Sequence, residues 1–123
     1  MGYRSGIGLA LTQSAVQIFH QKLNALDRES EAFSAITNFI AYADKHYEDT
    51  DTGAEASLWS YVKWYDDFKE VGFWEELMQE LNEQDYLFSR IGEDYDDTEV
   101  QGYFWDNPFC VKLSRSINIC EVI

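Results

Sequence analysis

The chain has 123 residues, 46% of them hydrophobic, with 4 Trp, 8 Tyr and 8 Phe. That is enough apolar side chain for one ordinary core and too little length for two domains. Its 23 acidic and 9 basic residues leave a net charge of −14, which repels nucleic-acid phosphates and anionic membranes alike and makes a basic protein surface the natural partner.

Taken in chain order, Tyr3 to Leu11 reads as a first strand, closed by Thr12, a residue type that caps helices. The following helix spans about Gln13 to Leu26, with Ala15, Val16, Phe19, Leu23 and Leu26 at helical spacing. Asp27 or Ser30 caps a second helix carrying Phe33, Ile36, Phe39, Ile40 and Ala43 on one stripe. EDTDTGAE, Glu48 to Glu55, lacks any large apolar residue and reads as an exposed acidic loop. The segment SLWSYVKWY then has the aromatic, β-favouring composition of a strand.

A third helix, Phe73 to Leu81, turns Phe73, Trp74, Leu77, Met78 and Leu81 inward and Glu75, Glu76, Glu80 and Glu83 outward. Tyr86 to Ile91 is a strand running into the acidic segment GEDYDDTE. Phe109 to Ile119 is the last strand, with Pro108 at its start, where a missing amide costs least. The expected fold is a single two-layer α+β domain over residues 1–123. Its four-stranded mixed sheet and about three helices follow the order β-α-α-β-α-β-β.

The start MGYRSGIGLALTQ is too short an apolar stretch for a secretory signal, and no run of about 18 apolar residues occurs, so a cytoplasmic protein is expected. Cys110 and Cys120 fall on one predicted strand, roughly 30 Å apart if it is continuous, and read as free thiols.

The acidic segments are the main candidate site. Glu48, Asp49 and Asp51, then Glu75, Glu76, Glu80 and Glu83, then Glu93, Asp94, Asp96 and Asp97 could form carboxylate rows. Residues four apart on a helix lie about 6 Å from one another, comparable to the spacing of successive phosphates. Tyr95, Tyr103, Phe104 and Trp105 are the aromatic anchors beside them. The plainer reading of the same charge is a solvated surface.

DTDTGAE resembles the start of an EF-hand loop, but counting from Asp49 places Gly53 fifth rather than sixth and Ser60 where the final Glu belongs. No metal and no cofactor are expected. An alternative site for a nucleotide or phosphorylated metabolite would use Arg4, Lys63, Arg90 and Arg115 on the strands, with Tyr65 or Trp64 to stack. Against it, these cations can pair with neighbouring carboxylates such as Glu93 or Asp66. His20 reads as a packed helix residue and His46 as one near a helix end. No phosphate loop, Cys–His metal spacing or nucleophile elbow appears, so an enzyme is not expected.

Together, the opening MGYRS, the central VKWYDDF, the run DYLFSRIGED followed by DDTE and Gly102, and the closing KLSRSI resemble a family of small bacteriophage and prophage proteins. The insert QGYFWDNPFC and Gly6 depart from that pattern. The resemblance implies a phage origin. Small acidic phage proteins in turn resemble inhibitors of host nucleases, of the anti-CRISPR and anti-restriction kinds, which occupy basic nucleic-acid channels. The expected partner is then a basic host protein or nucleoprotein complex, with no direct nucleic acid and no membrane. A homodimer through an open sheet edge is compatible with the same sequence.

Overall fold

Period-two alternation divides the first strand, β1 (Ser5–Leu11), into an apolar side of Ile7, Leu9 and Leu11 and a side of Gly6, Gly8 and Ala10. This asymmetry organises the fold. A computed structural model describes residues 3–94 and 96–109. The predicted strand Phe109 to Ile119, with Lys112, Arg115 and both cysteines, lies outside them apart from Phe109, as does Tyr95.

After β1 come α1 (Gln13–Asn24), α2 (Glu31–Ala41), β2 (Lys45–Glu48), β3 (Glu55–Val62), α3 (Lys69–Glu80), a 3-10 turn at Glu83–Asp85, β4 (Tyr86–Ile91) and β5 (Thr98–Gly102). The Thr12 hydroxyl accepts from the Ala15 amide and the Ser30 hydroxyl from the Phe33 amide, so both predicted caps form. The strands lie in the order β2-β3-β1-β4-β5, every pair antiparallel.

Among the described residues the α+β class and the three helices are as expected, but the sheet is antiparallel with five strands rather than mixed with four. Two unpredicted edge strands, β2 and β5, join the three predicted ones that the described residues cover. β2 pairs with β3 as an antiparallel hairpin. The acidic loop Glu48 to Glu55 is therefore shorter than its sequence suggests: Glu48 ends β2, Glu55 opens β3 and Ala54 is buried.

All three helices contribute to one core with the Ile7 side of the sheet: Phe19, Phe39, Phe73, Trp74 and Leu77 meet Leu9, Trp59 and Phe88. Trp59 stacks on Phe39 with ring centroids 4.4 Å apart and donates its indole hydrogen to the Phe39 carbonyl at 2.8 Å. This satisfies the one polar atom that its burial would otherwise strand. A second stack joins Phe19 to Trp74 at 5.1 Å. A bulge sets Ser5 opposite Val62 and Ile7 opposite Trp59, three steps on β3 against two on β1. It brings Val62 to the helix side, where it packs on the core.

The opposite face is thin. Ala10, Ala56 and Leu87 form a small cluster covered by Phe104 and Phe109. Gly102, at φ +88°, lets the chain leave β5 towards this face; a Cβ there would run into the Tyr86 carbonyl. Among the described residues no helix is long and apolar enough to cross a membrane.

Candidate functional site

The predicted acidic residues, Glu83 apart, fall in three places. On α3, Glu76 and Glu80 face α1, where the Lys22 ammonium reaches them at 3.5 and 2.8 Å. Glu80, and then Glu76, hold that lysine above its ordinary pKa against the opposing effect of burial. Glu75 turns the other way, and its carboxyl is raised by burial first and then by the charges of Asp66 and Glu99.

The second place is the turn between β4 and β5. Here Arg90 is the organising cation. Its guanidinium contacts Asp97 at 2.7 Å, Glu99 at 3.1 Å and the Ser5 hydroxyl at 3.2 Å. The Asp97 and Glu99 bonds raise its pKa despite partial burial. The Tyr3 hydroxyl donates to Asp97 at 2.5 Å and accepts from the Asp94 amide at 3.0 Å, while Glu93 accepts from the Arg4 amide at 2.5 Å. Gly92 allows this packing, since a Cβ would collide with the Asp97 carboxylate and the Tyr3 hydroxyl. Asp94 and Asp96 are left exposed, in no ion pair with another described residue.

The third place is the β2–β3 hairpin. Asp49 is a turn residue: its carboxylate accepts from the Thr52 amide and hydroxyl, and its backbone bonds to Gly53 and Ala54 close the loop. Asp51 is exposed at the tip. Glu48 and Glu55 stand directly opposite each other on the two strands, with His46 Nε2 at 3.3 Å from one and 3.5 Å from the other. His46 therefore sits on a strand rather than near a helix end, and β2 went unread because Tyr47 is its one hydrophobic residue, too few to reveal a period. His20 lies on the exposed side of α1, its ring 5.0 Å from that of Phe19. Glu83 is exposed on the 3-10 turn beside Tyr103, whose amide donates to its carbonyl.

Of the aromatic candidates, Tyr103 and Trp105 are exposed, while Phe104 packs on the thin face of the sheet. Of the alternative cationic set, Arg4, Lys63 and Arg90 are described, and they do not all line one cleft. Arg4 and Lys63 line one open cleft of about 560 Å³ with Tyr42 and Tyr61, the Arg4 guanidinium lying over the Tyr61 ring at 5.3 Å. Arg90 is held by its carboxylates at the β4–β5 turn. Set against family models, curated proteins and solved structures, the chain matches none of them.

Proposed function

We propose that this protein is a non-enzymatic acidic inhibitor that docks on a basic, nucleic-acid-binding surface of a nucleoprotein complex, in the manner of anti-CRISPR or anti-restriction proteins. The observation that carries the reading is the β4–β5 turn. Its inner side is fastened by Arg90, Tyr3 and Gly92, and its outer side offers Asp94 and Asp96 to solvent with no counter-charge among the described residues. A fastened acidic turn loses little conformational freedom on binding. Its net charge of −14 speeds encounter with a basic partner. Exposed Trp105 and Tyr103 supply the aromatic surface that charge alone lacks.

A small anionic ligand is the weaker alternative, since Arg90 is spent on Asp97 and Glu99 and, among the described members of the set, only Arg4 and Lys63 share a cleft. The decisive experiment measures inhibition of DNA binding by purified guide-RNA nuclease complexes and restriction enzymes, at low and at high salt. Inhibition falls steeply with salt, and the double reversal Asp94→Lys/Asp96→Lys weakens it about tenfold or more, roughly 1.4 kcal/mol. Inhibition that survives both changes overturns the docking surface named here.

A further inference from the structure

The β2–β3 hairpin holds a second constellation that the docking surface does not use. We infer that His46, Glu48 and Glu55 form a three-ligand site for a divalent transition metal of the zinc class, with water completing the coordination.

The geometry points there first. One nitrogen and two carboxylate oxygens lie within 4.8 Å of one another. His46 Nε2 is 3.3 Å from Glu48 Oε2 and 3.5 Å from Glu55 Oε1. Both separations are long for a charge-assisted hydrogen bond, which runs at about 2.7–2.9 Å. They match two ligands on one tetrahedral ion: zinc bonds of about 2.1 Å at the tetrahedral angle place the donor atoms about 3.4 Å apart. Imidazole nitrogen and carboxylate oxygen are both ligand types that zinc takes, and three protein ligands leave a fourth tetrahedral position for water.

The surroundings agree. Ser57 faces His46 across the strands, and its hydroxyl lies 2.8 Å from Nδ1. With the Nδ1 hydrogen donated there, the Nε2 lone pair faces the carboxylates, the outer-shell arrangement that fixes a ligating histidine. Glu48 and Glu55 form a directly opposed like-charge pair, destabilising by itself on a two-strand ladder. A dication between them reverses the sign of that interaction.

An independent feature adjoins the site. His46, Glu55 and Ser57 line a cavity of about 40 Å³ together with Trp74, enough room for water. Trp74 is 4% exposed, and its indole Nε1 has no acceptor among the described residues.

The test uses zinc chloride and cobalt chloride on the whole chain in a Cys110→Ser/Cys120→Ser background, so that thiols do not compete. Zinc competition against a chromophoric chelator is expected to show saturable one-to-one binding. His46→Ala, Glu48→Gln and Glu55→Gln each weaken it tenfold or more, Ser57→Ala about tenfold, and the distant Asp94→Asn leaves it unchanged. Cobalt gives the visible absorption of a four-coordinate ion. All three ligands lie at or near the surface, and the cobalt spectrum of the unsubstituted hairpin needs no variant to fold. Absence of saturable binding at millimolar zinc, or binding indifferent to the three substitutions, overturns the site and leaves the docking proposal where it stood.

Discussion

Two acidic hairpins at opposite edges of the sheet solve the same electrostatic problem differently. At β4–β5, Asp97 and Glu99 are gathered around the guanidinium of Arg90, which no ordinary pH removes. At β2–β3, Glu48 and Glu55 face each other and, among the described residues, pair with an imidazole alone, charged only when protonated. The first hairpin carries its counter-ion within the chain; the second is complete only with a proton or a metal. A carboxylate cluster that is internally compensated serves the fold. One that is not is where an external cation belongs.

The largest expected effect breaks the compensated side. Arg90→Met takes a guanidinium from two partly buried carboxylates, which keep the Tyr3 and Gln101 donors, and removes the Ser5 contact as well. A fully buried pair broken in this way costs more, but Asp97 and Glu99 keep some solvent, so the loss is about 2 kcal/mol. Urea unfolding reads it as a lower midpoint at unchanged slope. A variant as stable as the parent would mean that Arg90 does not hold the turn.

At the other hairpin the same kind of change has the opposite sign. In metal-free protein, at a pH where the imidazole is neutral, Glu55→Gln relieves the repulsion from Glu48 and is expected to stabilise by roughly 0.3 kcal/mol. Zinc is expected to abolish the gain, because the metal then stabilises the parent and not the variant. Destabilisation by Glu55→Gln in the metal-free state would show that the carboxylate makes a favourable contact of its own.

Much of this architecture was legible in the residues, and the parts that were not share a cause. β4 was expected at Tyr86 to Ile91 and found there, and α1 and α2 lie where Phe19, Ile36 and Phe39 recur at helical spacing. α3 begins at Lys69, four residues before its first aromatic, because Val71 is the only apolar signal in its opening turn. β2 reads Lys-His-Tyr-Glu and is exposed throughout; β5 reads Thr-Glu-Val-Gln-Gly. Neither edge strand has a buried face to impose a period, so their pairing comes from the neighbouring strand rather than their own composition. Missing β2 also concealed the His46 cluster. The carboxylate rows expected of Glu75, Glu76 and Glu80 separate in space because adjacent helix positions point about 100° apart, which sends Glu75 towards Glu99 and Glu76 and Glu80 towards Lys22.

Glu75 offers the finest measure of how completely Arg90 compensates its side of the sheet. Burial, then Asp66 and Glu99, raises its carboxyl above the ordinary glutamate value. The folded state therefore keeps this proton to higher pH than the unfolded chain. Stability falls as pH rises from the ordinary glutamate pKa through the raised one, and above both the deficit is constant. Glutamine never ionises, so Glu75→Gln is expected to gain about 0.3 kcal/mol at pH 7, small because the group is partly solvated, and nothing below about pH 4. In the Arg90→Met background the gain should grow, since Glu99 then acts on Glu75 without its cation. An equal gain in both backgrounds would show that Glu75 responds to burial alone, and that the field of the β4–β5 carboxylates is fully cancelled at the helix.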